Sequence, residues 1–285
     1  MIEEEKMLKR IITSIVAVCV LVPVLFLSGT PVLPVAIALV TVIAVYEMLK
    51  CMGLHKNPAL AIPPYIAAAS APLMLRYLGD KTDFATVCFI AAVVYLVITF
   101  IAIVWSHGRL AFSEGMSAFL LCAYIIAAMN SILYVRDFDD SGRYVYLLIF
   151  MGAWMTDIFA YFTGVFFGKH KLIEDVSPKK TIEGSIGGIV FCSISFVVFG
   201  IVVDTFFDRD ANILFLALSG IAISVISQVG DLIMSVVKRH YGIKDYGKLF
   251  PGHGGVLDRF DSVLAVSLGM CAICMLAQLM GVQLL

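Results

Sequence analysis

The chain has 285 residues and a formal net charge of −1, and 61% of its residues are hydrophobic while only 14% are charged. Its mean hydropathy of +1.00 excludes an ordinary soluble globular protein, because such a protein needs more polar residues to cover its surface. The sequence has no separable basic domain, and this argues against a nucleic-acid-binding protein.

Apolar segments long enough to cross a bilayer follow one another along the chain, since roughly 20 helical residues span ~30 Å of hydrocarbon. The sequence therefore predicts an all-α, polytopic integral membrane protein with about nine transmembrane helices. Their predicted ranges are 11–27, 32–49, 60–78, 84–104, 115–134, 144–167, 184–205, 213–237 and 262–282. The first segment resembles a signal peptide, but no small-residue cleavage site follows Leu27, and we interpret it as a retained span.

The distribution of basic residues predicts which side of the membrane each loop faces. With the N-terminus in the cytoplasm, fifteen of the 20 Lys and Arg residues fall in cytoplasmic segments, as the positive-inside rule requires. Two long polar segments, 168–183 and 238–261, then face the cytoplasm. The five basic residues on the opposite side are Arg76, Lys81, Arg136, Arg143 and Arg209.

Two regions are predicted from this pattern. Residues 1–140 form an N-terminal region of about five spans, and residues 141–285 form a catalytic region of about four spans that carries both polar segments. The seven cysteines lie within or at the edges of apolar segments. We interpret even the Cys271–Cys274 pair as packing rather than as a redox or metal site, because it lies inside an apolar helix.

Acidic residues within the apolar segments are candidates for function. Asp157 and Asp231 lie inside spans, where a carboxylate costs on the order of 3 kcal/mol and faces the bundle interior. No Lys or Arg within a span offers a partner, so we expect a bound cation beside them. An interhelical ion pair or hydrogen bond is the structural alternative. Glu47, near the inner end of the second span, is interpreted as an interfacial residue that reaches headgroup water.

The densest polar segment covers residues 235–261 and is written SVVKRHYGIKDYGKLFPGHGGVLDRFD. Its combination of cations, carboxylates and glycines suits phosphate and metal chemistry. Cations and Mg²⁺ neutralise phosphoryl oxygens, carboxylates hold the metal, and glycines let backbone N–H groups approach an anion. Its charged residues include Lys238, Arg239, Lys244, Asp245, Lys248, Asp258, Arg259 and Asp261.

The other polar segment continues into the next predicted span as GKHKLIEDVSPKKTIEGSIGG, residues 168–188. It places the hydroxyls of Ser177 and Thr181 and the ammonium groups of Lys179 and Lys180 before a glycine-rich helix start. Backbone N–H groups and the helix dipole favour an anion there, although a lysine pair at this edge also serves topology and headgroup attraction. Together the two segments predict a cationic cytoplasmic mouth above the buried aspartates.

The 235–261 segment resembles the motif of the phosphatidate cytidylyltransferases, also called CDP-diacylglycerol synthases. That motif is S-x-x-K-R, four residues, K-D, and then P-x-H-G-G-x-x-D-R-x-D, and every fixed position is present at the same spacing. The SPKKTIEG and DIFAYFTGVFFGKHKL stretches also resemble the family. The resemblance covers roughly residues 150–265, whereas residues 1–140 match only as hydrophobic helices.

The resemblance implies an inner-membrane enzyme, homodimeric and Mg²⁺-dependent, that condenses CTP with phosphatidic acid to CDP-diacylglycerol and pyrophosphate. Its active site would face the cytoplasm. By motif position, Asp231 and Asp258 are metal-binding, and we place Asp157 and Asp261 beside them as auxiliary ligands. Lys238 and Arg239 are assigned to catalysis. The predicted substrate-binding residues are Ser177, Lys179, Lys180, Thr181, Glu183, Lys244, Asp245, Gly254, Gly255 and Arg259.

The residue chemistry fits this reaction, because a phosphate monoester is already anionic near neutral pH and needs cationic neutralisation rather than a strong base. His253 either donates a proton or hydrogen bond to the leaving pyrophosphate or makes a structural contact in a glycine turn. Two alternatives remain. A CTP-dependent lipid kinase attacks the γ-phosphate, and a cation-coupled transporter places Asp157 and Asp231 on an ion path. A transporter has no need of the glycine-rich motif.

Overall fold

The computed structural model describes residues 15–78, 81–174, 176–207, 209–250, 252 and 254–285. Within these residues, eight helices are long and apolar enough to cross a membrane, with α6 and α7 forming one span. The helices are α1 (Ile15–Phe26), α2 (Val32–Cys51), α3 (Pro58–Tyr77), α4 (Lys81–Trp105), α5 (Phe112–Arg136), α6 (Gly142–Val145), α7 (Leu147–Phe167), α8 (Ile182–Phe207), α9 (Ile213–His240) and α10 (Leu257–Met280).

The predicted all-α, polytopic membrane class is confirmed, and the protein is a multi-pass membrane protein. The count of eight long spans is close to the predicted nine. The remaining prediction, 11–27, corresponds to the shorter helix α1, and residues 11–14 lie outside the described residues. Several helices extend past their predicted ends, because hydropathy locates only the apolar part of a helix while the helical backbone continues into polar turns. Helix α9, for example, ends at His240.

A short β-hairpin interrupts the helical pattern within the 168–183 segment. Strand β1 (Lys171–Ile173) pairs antiparallel with β2 (Ser177–Thr181). The sequence SPKKT lacks the alternation of apolar and polar residues that predicts a strand, so the hairpin was not expected. Because β2 ends at Thr181 and α8 begins at Ile182, the hairpin residues are held directly at the start of a transmembrane helix.

The chain folds as two compact units. The first comprises the described residues of Met1–Leu133 together with Tyr241–Arg259, and the second comprises those of Tyr134–His240 together with Phe260–Leu285. The predicted division at residue 140 stays a prediction.

In the first unit α2 packs on α3, and α3 packs on α4. In the second unit α8 packs on both α7 and α9. The α7–α8 contact is close at Gly184, where a Cβ atom would lie 2.6 Å from the carbonyl oxygen of Ala160. Small residues commonly allow membrane helices to approach in this way.

Large apolar side chains on the outer faces of the spans are exposed, among them Phe89, Val104, Leu120 and Phe206. An exposed apolar surface of this extent is unfavourable in water but is matched by lipid acyl chains. The helices therefore present the surface expected of a protein embedded in a bilayer.

Candidate active site

Three aspartates that the sequence placed in or near the spans lie together in the second unit. Asp157 is on α7, Asp231 on α9 and Asp261 on α10, and we refer to these three side chains as the acidic cluster. Their carboxylates are close enough to interact electrostatically with one another. The predicted pocket comprised these three aspartates and Asp258, and both this pocket and the roles of its members stay a prediction.

Local packing explains how the cluster is assembled. At Gly230, directly before Asp231, an added Cβ would overlap the side chain of Ala265, so this glycine lets α9 approach α10. Ser262 contributes two hydrogen bonds, from Oγ to Asp157 Oδ2 at 3.4 Å and from its backbone N–H to Asp261 Oδ1 at 2.9 Å. The carboxylates are therefore held by helix packing and hydrogen bonds rather than by mobile loops.

Two lysines lie beside the acidic cluster. Lys180, on β2, forms an ion pair with the Oδ2 atom of Asp231, and both side chains are only partly exposed. Lys238, on the last turns of α9, interacts electrostatically with Asp261. Three carboxylates and two ammonium groups thus lie together, which is a suitable environment for phosphate groups and a metal ion.

The expectation that Asp231 has no Lys or Arg partner is wrong, because Lys180 forms the ion pair that the sequence left as the structural alternative. Lys180 belongs to a polar segment of the sequence, and only the hairpin brings it to α9. Linear hydropathy assigns each residue to a span or a loop, so it misses a loop lysine that folds back onto a span.

The other predicted residues around the hairpin have structural partners. Thr181 Oγ1 accepts a hydrogen bond from the backbone N–H of Gly184 at 3.1 Å and so caps the N-terminus of α8. Glu183 accepts hydrogen bonds from the backbone N–H groups of Lys169 and His170 at 3.1 and 3.3 Å, and lies 2.7 Å from His170 Nδ1. These contacts fasten the hairpin to α8. Contacts of these side chains with substrate remain predictions, as do those of Ser177 and the exposed Lys179.

Asp258 lies in the first unit, at the beginning of α10, and is 7% exposed. Its Oδ2 atom accepts hydrogen bonds from the backbone N–H groups of Tyr246 at 2.8 Å and Gly255 at 2.9 Å. Gly254 has φ +86°, a conformation that side-chain-bearing residues rarely adopt. One carboxylate therefore draws two parts of the α9–α10 segment together, and the assignment of Asp258 as a metal ligand stays a prediction.

Glu47 contributes to the same region, which the sequence did not indicate. It is 4% exposed, and its Oε1 and Oε2 atoms accept hydrogen bonds from the backbone N–H groups of Val256 and Leu257 at 3.0 and 2.9 Å. The interpretation of Glu47 as an interfacial residue in contact with headgroup water is wrong. Its partners lie more than 200 residues away in the sequence, so no local pattern points to them.

The remaining predicted residues between α9 and α10 and at the adjoining helix ends are exposed charged side chains, the partly exposed Gly254 and the buried Gly255. The backbone N–H of Phe250 donates to the Gly254 carbonyl at 2.9 Å and closes the glycine-rich turn. His253 lies outside the described residues, so its predicted role is not addressed by the structure. The exposed charged residues are Arg239, Lys244, Asp245, Lys248 and Arg259.

No group of three or more His, Cys, Asp or Glu side chains arranged to hold a metal ion is found in the described part of the chain. The donors present in the acidic cluster are carboxylate oxygens, the type of ligand that Mg²⁺ prefers. Magnesium commonly takes one or two protein carboxylates and completes its coordination with water and substrate phosphates, so this donor set fits the ion.

Comparison with known proteins agrees with this chemistry. Residues 8–277 match the model of the cytidylyltransferase family. A phosphatidate cytidylyltransferase of Staphylococcus haemolyticus is 34% identical over 259 residues, which cover 90% of this chain and 95% of the relative. Proteins of the same name from Staphylococcus epidermidis and Staphylococcus aureus are 35% and 32% identical over the same length.

Proposed function

The chain belongs to the cytidylyltransferase family, and on this premise we propose how it condenses CTP with phosphatidic acid to form CDP-diacylglycerol and pyrophosphate. The enzyme is a nucleotidyltransferase of the membrane. The observation that carries the mechanism is the acidic cluster with Lys180 and Lys238 beside it.

The reaction joins two polyanions. An oxygen of the phosphatidate phosphate attacks the α-phosphorus of CTP in line with the bond to the β-phosphate, and this bond breaks to release pyrophosphate. The attacking phosphate monoester is already ionised near neutral pH and requires no strong general base. The main barrier is electrostatic repulsion, which is lowered by fixed positive charge and by holding the reactants in line.

We assign Mg²⁺ to the carboxylates. Asp231 would be a ligand, Asp157 and Asp261 auxiliary groups beside it, and Asp258 a further ligand on the basis of its motif position. When bound, the ion neutralises charge on phosphoryl oxygens. The three carboxylates of the acidic cluster support this assignment, because carboxylate oxygens are the ligands that Mg²⁺ prefers.

Cationic side chains supply the remaining neutralisation. Lys180, already beside Asp231, and Lys238, beside Asp261, are suitably placed to bind phosphoryl oxygens next to the carboxylates. We assign the exposed side chains of Arg239, Lys244 and Arg259 to the triphosphate and the lipid phosphate. His253 is assigned to the leaving pyrophosphate by its motif position.

Phosphatidate-dependent release of pyrophosphate tests this function. The purified protein in detergent, supplied with CTP and Mg²⁺, should release pyrophosphate only when phosphatidic acid is added, and chelation of the metal should stop the reaction. Release of CDP in place of pyrophosphate would indicate a lipid kinase. Cation uptake by proteoliposomes without any turnover of CTP would indicate a transporter.

We further propose that the active site faces the cytoplasm of the inner membrane and that the enzyme is a homodimer. After replacement of the seven cysteines, single cysteines at the exposed positions Lys179 and Lys248 should resist an impermeant thiol reagent added to intact cells. A cysteine at Arg143, exposed and predicted on the outer side, is the control and should react. Reaction at 179 or 248 from outside would overturn the proposed topology.

The proposed homodimer is tested by the mass of the purified protein in mild detergent. The mass of a monomer would contradict it.

A further inference from the structure

Glu47 supplies the N-terminal cap of a helix to which it does not belong. The first backbone N–H groups of a helix have no acceptor within that helix, and α10 begins at Leu257. Both carboxylate oxygens of Glu47 are used, one for Val256 and one for Leu257. A negative charge is favoured at this end of a helix dipole. The carboxylate from α2 therefore fixes the point at which α10 begins, directly before Asp258.

Two glycines leave room for this carboxylate. A Cβ atom at either Gly247 or Gly255 would overlap the oxygens of Glu47. Neither glycine has a positive φ, so the requirement at these positions is space rather than backbone conformation. The described residues of the segment 246–257 thus surround the Glu47 side chain, and the hydrogen bonds that Tyr246 and Gly255 donate to Asp258 hold two parts of this segment together.

The buried charge of Glu47 depends on the conformation of the surrounding backbone. A carboxylate that is 4% exposed is unfavourable unless hydrogen bonds compensate for its lost hydration. Here the compensation comes from the backbone N–H groups of the segment, and Asp258 is close enough to add like-charge repulsion. The arrangement is stable only while 246–257 keeps the conformation that directs its N–H groups at Glu47.

We propose that Glu47 is a positioning residue for cytidylyl transfer, holding 246–257 in the conformation that presents Asp258 and the backbone of Gly254 and Gly255 to the substrates. This inference rests on the proposed function of the motif. Glu47 itself makes no contact with substrate in this account. It acts through the backbone of the segment that carries the motif.

The Glu47→Gln variant separates positioning from chemistry. The amide keeps the shape of the side chain but replaces one acceptor with an NH₂ group that opposes a backbone N–H. The segment then occupies its competent conformation for a smaller fraction of the time, and the apparent affinity for CTP falls by that fraction. We expect the KM for CTP to rise about 10- to 100-fold, while kcat at saturating CTP changes less than about 3-fold, because bound substrate selects the competent state.

Hydrogen exchange of backbone amides provides a measurement that does not depend on activity. In Glu47→Gln, amides of residues 244–257 should exchange faster, while those of α3 and α4 in the same unit keep their protection. Thr41→Val is the matched control, since Thr41 is also buried on α2 but its hydroxyl donates to the Ile37 carbonyl of its own helix at 2.6 Å. This control should leave both the exchange pattern and the KM for CTP unchanged.

A second variant changes the backbone segment around Glu47 and leaves Glu47 itself unchanged. Gly247→Ala places a methyl group against the Glu47 carboxylate and should reproduce the local increase in exchange, and combining the two substitutions should add little to either alone. Unchanged exchange at 244–257 in both variants would overturn the inference, as would a fall in kcat at unchanged KM. If the variants exchange faster but the wild-type protein shows no cytidylyl transfer, the result would contradict the proposed function and leave the contact of Glu47 with this segment supported.

Discussion

Asp231→Asn should abolish turnover while leaving a folded, membrane-inserted protein. The amide keeps the size of the side chain but removes the charge that balances Lys180 and, in the proposed mechanism, holds Mg²⁺. Loss of one preorganised electrostatic group at a reacting centre lowers kcat by roughly 10²–10³-fold, and loss of a metal ligand should cost at least this much. The measurement is Mg²⁺-dependent formation of CDP-diacylglycerol by the purified variant.

Asp258→Asn should cause the same loss of turnover, and the loss should arise from the missing charge rather than from misfolding. The Asn side-chain oxygen can still accept the hydrogen bonds that Oδ2 receives from Tyr246 and Gly255, so the segment keeps its shape while the charge is lost. Asp204→Asn is the matched control, because Asp204 is an exposed carboxylate on α8. Near-normal activity at unchanged Mg²⁺ dependence in either Asp231→Asn or Asp258→Asn would contradict the metal assignment.

Lys180→Ala should reduce catalytic efficiency with CTP more strongly than Lys179→Ala, although the two residues are neighbours. Lys180 contacts Asp231, whereas Lys179 is exposed on the hairpin. Loss of one charge-assisted contact is worth ~1.5–3 kcal/mol, which corresponds to roughly 10- to 150-fold in kcat/KM. The efficiency toward phosphatidate should fall less than that toward CTP if the phosphoryl oxygens that Lys180 binds are those of the CTP triphosphate.

The pairing of Lys180 with Asp231 can also be measured by a double-mutant cycle. If the two side chains act as one unit, the combination of Lys180→Ala with Asp231→Asn should lose much less than the sum of the single losses. Wild-type efficiency toward CTP in Lys180→Ala would mean that the hairpin lysines serve only membrane topology.

The transmembrane architecture was predictable from the sequence because it depends on a local property. Each span is a run of apolar residues, and the cost of placing unsatisfied backbone groups in lipid forces such a run to be helical. Helices α2 to α10 therefore lie within a few residues of their predicted ranges. The hairpin was missed because its strands are three and five residues long and mostly polar. It is stabilised by Glu183 and Thr181 at the start of α8, not by a strand pattern of its own.

The candidate site was predictable in composition but not in its contacts. The motif contains Lys238, Asp258 and Asp261. Asp157 and Asp231 were indicated by their place within apolar spans, and Lys180 by the second polar segment. The sequence did not reveal that Lys180 folds onto Asp231 or that Glu47 binds the beginning of α10, because both contacts join residues far apart in the chain. An acidic residue within an apolar span was a visible signal at Glu47. Its partners are backbone N–H groups, which carry no signature in the amino-acid sequence.

The position of bond cleavage in CTP distinguishes cytidylyl transfer from phosphoryl transfer. The purified enzyme, Mg²⁺ and phosphatidic acid are incubated with CTP labelled with ³²P at the α-phosphate or, in a parallel reaction, at the γ-phosphate. Attack at the α-phosphorus predicts that the α-label enters the lipid as CDP-diacylglycerol and that the γ-label leaves as pyrophosphate, with neither transfer in Asp231→Asn. Transfer of the γ-label to lipid, with the α-label remaining in CDP, would contradict attack at the α-phosphorus.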